Sequence, residues 1–171
     1  NVKGVFDEYD NLKIRLLGEH QLINASTAVG IIEGLRLNNI DINSIRGGLN
    51  NTHWPGRCEV ISQEPLIILD GAQNIASMRA LKETIKENFD YKRLILILGV
   101  SYDKDIKGIC DELSNFYDEI ILTKADNPRA REPETLARYF NDRRVYITED
   151  IEKAKRKAKG MAKKEDLILV C

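Results

Sequence analysis

Cysteine is scarce in this 171-residue chain, and the three present, Cys58, Cys110 and Cys171, form no CxxC pair. That pattern fits neither a disulfide framework nor a zinc ribbon; it reads as reduced, buried thiols in a cytoplasmic protein. Histidine is scarcer still. His20 and His53 fall in no HExxH or cysteine–histidine spacing, so this chain is expected to build no metal site. No apolar run approaches the roughly 20 residues a membrane helix needs, and no signal-like segment opens the sequence. Charge of one sign is lacking too: 26 Lys and Arg stand against 27 Asp and Glu, which removes the broad basic field of a nucleic-acid binder. Neither GxxxxGK[ST] nor GxGxxG occurs, so no phosphate-cradling glycine loop lies in this stretch.

What is present is the pattern of a layered α/β domain. Five short apolar runs recur: Leu66 to Leu69, Leu94 to Leu98, Ile120 to Leu122, Val145 to Ile147, and Leu167 to Val170. They are continuous rather than alternating, as strands buried on both faces of a parallel sheet must be. Between them Met78, Leu81, Ile85 and Phe89 fall at helical spacing, as do Ile106, Ile109, Cys110 and Leu113, and Ile151, Ala154, Ala158 and Met161. Asp105, Asp150 and Glu132-Pro133-Glu134 supply helix-start chemistry. Strand–helix–strand repeated four times predicts a doubly wound, mostly parallel Rossmann-like sheet. The lysine-rich stretch Lys153 to Lys164 reads as the solvated face of its helix.

Residues 1–50 read differently. A strand is expected over Leu12 to Leu17, a helix over Gln21 to Leu37 with Ala28, Ile31, Ile32 and Leu35 facing a core, and a second helix over Ile42 to Leu49. With no sheet of their own, these pieces are expected to end an upstream domain, with Asn50 to Trp54 as the hinge and residues 51–171 as the second domain. Residue 1 is not Met and Leu167 to Cys171 is an apolar strand, so a piece of a longer protein, cut at both ends, is expected.

In such sheets ligands bind beyond the carboxyl ends of the strands. After the first predicted strand stands Asp70-Gly71-Ala72-Gln73-Asn74. A carboxylate there accepts hydrogen bonds from ribose hydroxyls while small neighbours admit a ligand; equally, Asp70 or Asn74 serves as a helix cap. Trp54-Pro55-Gly56-Arg57 is a stiff bend, with Trp54 expected as a core anchor. Its Arg57 is either a phosphate clamp or one partner of a surface ion pair. Two more polar loops follow, Gly99 to Asp105 and Thr123 to Arg129, in which Lys104 and Arg129 offer positive charge to an anionic substrate.

These segments together resemble the folylpolyglutamate and dihydrofolate synthases of the Mur ligase superfamily. Gly18-Glu19-His20-Gln21-Leu22-Ile23-Asn24 is similar to their GEHQxxN helix start, and Trp54 to Glu59 to their WPGRxE turn. Leu69 to Ile75 matches LDGAHNP, Asp103-Lys104-Asp105 their DKD triplet, and Thr123 to Ala130 their TxAxxPRA stretch. The resemblance implies a Mur ligase C-terminal domain after the end of an ATPase domain. It implies ATP between the two, with magnesium ligands, phosphate loop and modified lysine upstream. It implies that Asn24, with Gln21, contacts adenine, that Arg57 reaches the phosphates and acts catalytically, and that Asp70 binds ribose. Gln73 replaces the family histidine and Ile75 the proline; Gln73 still donates a hydrogen bond towards phosphate but carries no charge. Asp103, Lys104 and Asp105 fall on the substrate side. The implied reaction adds L-glutamate to a folate or pteroate carboxylate through an acyl phosphate, with this piece inactive alone. The alternatives are another Mur-type amino-acid ligase and a non-catalytic nucleotide-binding domain of the same descent.

Overall fold

The computed structural model describes residues 1–36, 40–140 and 144–171, and the chain divides into two compact units, Asn1–Pro55 and Gly56–Cys171. No helix among the described residues is long and apolar enough to cross a membrane.

The second unit is the doubly wound domain. Its strands are β3 (Glu59–Gln63), β4 (Leu66–Leu69), β5 (Leu94–Leu98), β6 (Glu119–Leu122), β7 (Val145–Ile147) and β8 (Leu167–Val170); its helices are α3 (Ile75–Asn88), α4 (Ile106–Leu113), α5 (Pro133–Ala137) and α6 (Ile151–Met161). They form one six-stranded sheet in the order β3-β4-β8-β5-β6-β7. Every pairing is parallel except β3 with β4. β8, last in sequence, therefore lies near the middle of the sheet, between β4 and β5.

Side-chain alternation sorts the core into two layers. Ile67, Ile95, Ile97, Ile121 and Ile168 pack with Ala154 and Ala158 of α6. The opposite parity, Leu94, Leu96 and Leu98, is as fully buried, which requires helices on the other face as well. α3 and α4, packed on each other, bury Met78, Leu81, Ile85, Ile109 and Leu113. The alanines of α6 let that helix approach closely, while Ile151 at its start stays 42% exposed rather than joining the core face.

Helix starts follow the expected chemistry. Asp105 Oδ1 accepts from Gly108 N at 2.9 Å, Asp150 Oδ1 from Lys153 N at 2.7 Å, and Pro133 opens α5. β3 is an element the apolar runs do not announce. It is an edge strand with a bulge between Val60 and Ser62, and Ile61 is 52% exposed there.

The first unit departs from expectation. Its helices are α1 (Glu19–Leu35) and α2 (Ile42–Asn51), and it does hold a small sheet, β1 (Val2–Lys3) against antiparallel β2 (Glu8–Tyr9). Leu12 to Leu17 is not a strand. Leu37, the expected last residue of α1, lies outside the described residues. The face of α1 is also corrected: Gln21, Val29 and Glu33 are buried, whereas Ala28, Ile31 and Leu35 are exposed and Ile32 is intermediate. Apolar residues lie all round this helix and two of its three buried residues, Gln21 and Glu33, are polar, so periodicity has no apolar face to choose. Trp54 is 61% exposed, so it is no core anchor within this chain.

Glu33 organises this unit. Its carboxylate accepts from Val5 N at 2.9 Å, Phe6 N at 3.4 Å and Asp7 N at 3.1 Å, and a Cβ on Gly4 would meet Glu33 Oε1 at 2.1 Å. The Val5 amide lowers its pKa most; burial raises it, but Asp7, Phe6 and Tyr9 reinforce the lowering. A lowered folded pKa gives stability that is complete above the ordinary glutamate range and lost as pH falls through the folded value. The amide shifts of Val5 and Asp7 are expected to titrate together with a midpoint below that of a free glutamate. A midpoint at or above the ordinary range would contradict this.

Candidate functional site

Because β4, β5, β6 and β8 run parallel, their carboxyl ends deliver Asp70, Gly99, Thr123 and Cys171 to one edge of the sheet. Three loops build on that edge. The first is the turn Gly56-Arg57-Cys58, which precedes β3 and returns beside the end of β4. Gly71 N donates to Gly56 O at 2.8 Å, Cys58 N to Asp70 Oδ2 at 2.8 Å, and Ala72 N to Asp70 Oδ1 at 2.8 Å. Asp70 thus caps its own loop and pins the turn twelve residues earlier. Gly56 N donates to Glu59 Oε2 at 2.8 Å.

Two residues of this turn are left-handed, Gly56 at φ 68° and Cys58 at φ 46°. For Cys58 this costs of order 1 kcal/mol, which the carboxylate contacts must offset. The Cys58 thiol is buried, and burial first, then the Asp70 charge, pushes its pKa up to about 11. Between the two left-handed residues Arg57 is exposed. A Cβ built on Gly71 would lie 2.7 Å from Arg57 Nη1 and 3.5 Å from Gly56 O, so the guanidinium rests directly over Gly71. Here glycine is required by close approach. Among the described residues, the Arg57 guanidinium has no carboxylate partner within ion-pair distance.

Gln73 is exposed next to this turn, its backbone N–H donating to Ser77 Oγ at 3.0 Å. The start of α3 is well defined despite Ile75. Asn74 Oδ1 accepts from Ser77 N at 2.9 Å in a capping box, and the Ile75 side chain lies over Gly108 of α4, where a Cβ would meet its Cδ1 at 2.3 Å.

The second and third loops are tied together. Ser101 bridges Ala130, Tyr102 N donates to Arg129 O, and Arg131 N to Val100 O, both at 2.9 Å. Two clefts flank this tie. One of about 230 Å³ lies between the ends of β4 and β5 and is lined by Gly71, Gln73, Gly99 and Lys104. The other, about 350 Å³, is lined by Gly99, Ser101, Thr123, Asp126 and Asn127. Thr123, 2% exposed, lines the second cleft with an Oγ1 that has no hydrogen-bond partner among the described residues. Of the Asp103-Lys104-Asp105 triplet, Asp105 caps α4, while the Lys104 ammonium lies 3.4 Å from the Asp103 carboxylate. Desolvation pushes the Asp103 carboxyl up, but its own amide, Lys104 and Arg129 outweigh that and hold it below the usual range.

The remaining candidates sit in the first unit, on the first turns of α1. Asn24 Nδ2 donates to Gln21 Oε1 at 3.0 Å, and Gln21 Nε2 lies 3.0 Å from His20 Nε2. Gln21 is 7% exposed, so its amide fixes the orientation of the exposed Asn24. The structure thus brings Arg57, Asp70 and Gln73 together in one unit and Gln21 with Asn24 in the other. Glu59 and the buried Thr123 hydroxyl are site features that the sequence motifs do not single out by role. Among the described residues, no group of three or more His, Cys, Asp or Glu is placed to hold a metal ion.

Comparison with known proteins agrees with the fold. The family described as Mur ligase, glutamate ligase domain, matches residues 56–171. A probable bifunctional folylpolyglutamate synthase/dihydropteroate synthase of Halobacterium salinarum is 35% identical over 161 residues, covering 92% of this chain and 19% of its own length. The Mycobacterium tuberculosis folylpolyglutamate synthase complexed with ADP superposes with a TM-score of 0.89 at 29% identity, covering 97% of this chain and 40% of its own. A bifunctional folylpolyglutamate synthase/dihydrofolate synthase from Yersinia pestis, complexed with AMPPNP and Mn ion, gives a TM-score of 0.80 at 30% identity, over 95% of this chain and 38% of its own. The chain therefore spans well under half the length of these proteins. It belongs to the Mur ligase family, with residues 56–171 in the part described as the glutamate ligase domain.

Proposed function

We propose that this chain is the carboxyl-terminal part of an ATP-dependent ligase that joins L-glutamate to the carboxylate of a folate or pteroate. The observation that carries the reading is the presentation of Arg57: a guanidinium with no carboxylate partner among the described residues, held over a glycine at the ligand edge of the sheet. Such a group is suited to phosphate oxygens, which accept its planar fork of donors. The relatives described as folylpolyglutamate synthases, one of them complexed with ADP, support the nucleotide and the reaction class.

In this reading residues 1–50 end the ATP-binding domain and residues 51–171 form the glutamate ligase domain, the ATPase domain itself being upstream. Asn24, oriented by Gln21, takes the adenine. Each Asp70 oxygen already accepts one backbone N–H and keeps a lone pair for a ribose hydroxyl. The acceptor carboxylate attacks the γ-phosphorus of ATP, ADP leaves, and an acyl phosphate forms. The glutamate amine then attacks the acyl carbon, the C–O bond to phosphate breaks, and an amide, phosphate and a proton result. Arg57 stabilises the charge that spreads over the transferred phosphoryl oxygens, and Gln73 donates a hydrogen bond to the phosphates beside it. Lys104, lining the first cleft, faces the anionic substrate. Among the described residues no group of three or more His, Cys, Asp or Glu is placed to hold a magnesium ion, and in this reading its ligands belong to the upstream domain, so no step here passes through it. The free thiols Cys58, Cys110 and Cys171 support a reducing, cytoplasmic location.

The test is phosphate release by the full-length protein. Release that requires both a pteroate or folate and L-glutamate is expected. Release with a different amino acid and acceptor would assign another Mur-type ligase, and no release with any acceptor would leave only nucleotide binding.

A further inference from the structure

The turn that carries Arg57 is clamped at both ends by carboxylates. Glu59 Oε2 accepts from Gly56 N and Asp70 Oδ2 accepts from Cys58 N, each at 2.8 Å, so the amides on either side of Arg57 are fixed by acids from β3 and from the end of β4. The clamp spans two left-handed residues, one of them not glycine, a backbone that would relax without it. Below it, the absence of a side chain on Gly71 makes room for the guanidinium: a Cβ there would meet Nη1 at 2.7 Å.

We propose that Glu59 is a positioning residue for Arg57, acting with Asp70 to hold the turn in its left-handed form and aim the guanidinium across Gly71. This rests on the reading of Arg57 as the phosphate-binding group. Glu59 has no contact with nucleotide in this scheme; it works through the Gly56 amide. Two carboxylates close to a phosphate-binding arginine would otherwise be unfavourable for an anionic ligand. Both Asp70 oxygens and Glu59 Oε2 instead accept from backbone N–H groups, and among the described residues the guanidinium over Gly71 has no carboxylate partner.

The experiment is a double-mutant cycle in the full-length protein, with MgATP as the varied substrate. Arg57→Ala is expected to lower kcat/KM for ATP by roughly 10²- to 10³-fold. Glu59→Ala is expected to lower it by about 10- to 100-fold alone, the scale of a misplaced catalytic group, and by less than about threefold in the Arg57→Ala background. Glu59→Gln, which keeps an acceptor oxygen for Gly56 N, is expected to stay within about threefold of the parent. Gly71→Ala, which displaces Arg57 without touching either acid, is expected to resemble Glu59→Ala while unfolding at the same temperature as the parent. Equal losses from Glu59→Ala in both backgrounds, or no loss in either, would overturn the clamp alone. An Arg57→Ala protein with parental kinetics would overturn the clamp and the Arg57 reading together.

Discussion

Replacing Arg57 by alanine in the full-length protein is expected to slow acceptor- and glutamate-dependent phosphate release by roughly 10²- to 10³-fold, the usual effect of removing one preorganised donor from a charge-developing centre. Stability is expected to change by less than about 0.5 kcal/mol, because the side chain is exposed and, among the described residues, its guanidinium has no carboxylate partner to abandon. Arg57→Lys is expected to recover little: a single ammonium cannot reproduce the planar fork, and its shorter reach starts from a turn whose backbone is fixed. Steady-state kinetics beside urea unfolding separate the two effects. Turnover at the parental rate would remove Arg57 from the mechanism, and a large loss of stability would show that it holds the fold rather than the substrate.

The largest effect on stability is expected at the opposite edge of the sheet. Arg93 stands immediately before β5 and ties three strands to α6. Its Nη1 is 2.6 Å from Glu119, its Nη2 is 2.7 Å from Asp166 and 2.6 Å from Met161 O, and its Nε is 3.2 Å from Asp166. Asp166 is 3% exposed and also accepts from Lys163 N at 2.7 Å. The Asp166 hydrogen bond is the main reason the Arg93 pKa is raised. Arg93→Met would leave Asp166 buried and unpaired, at a cost of about 3 kcal/mol, the low end for a broken buried pair because the arginine is partly exposed. Burial pushes the Asp166 carboxyl up, but the Lys163 amide and Arg93 together hold it below the ordinary range. A lowered folded pKa means stability present above the unfolded value and lost as pH falls through the folded one. Without Arg93 the burial effect is left with less opposition, so protonation relieves the variant. The stability gap between parent and variant is therefore expected to narrow as pH falls below the carboxylate range. Arg93→Met/Asp166→Asn is expected to regain part of the loss. A gap that is small and constant with pH would show that the network contributes only surface-like ion pairs.

The strands buried on both faces were legible because burial on two sides writes itself as an unbroken apolar run: Leu94 to Leu98 is the clearest case. Half-buried strands were not. β3, Glu59-Val60-Ile61-Ser62-Gln63, lies at an edge, carries a bulge, and presents no such run. Leu12 to Leu17 alternates like a strand yet is none, and the paired segments nearby are only two residues each. The wrong face of α1 has a related cause, since apolar residues on every side carry no direction. At the site, composition could point to Arg57, Asp70 and Gly71 as residue types suited to a nucleotide. It could not show that Asp70 spends one hydrogen bond on Cys58 N, twelve residues away, because that contact exists only once β3 has folded back on β4. Thr123 likewise reads as an ordinary strand-end residue until its buried hydroxyl is found with no partner among the described residues.

The central place of β8 carries a consequence for biosynthesis. A ribosome releases β3 through β7 before Leu167 to Val170, so the nascent domain waits as two half-sheets, β3-β4 and β5-β6-β7. The facing rims at Ile67 and Ile97 stay unpaired until β8 is threaded between them. Such rims invite foreign strands, so pairing of β8 with both neighbours is the step that removes this aggregation hazard from the sheet.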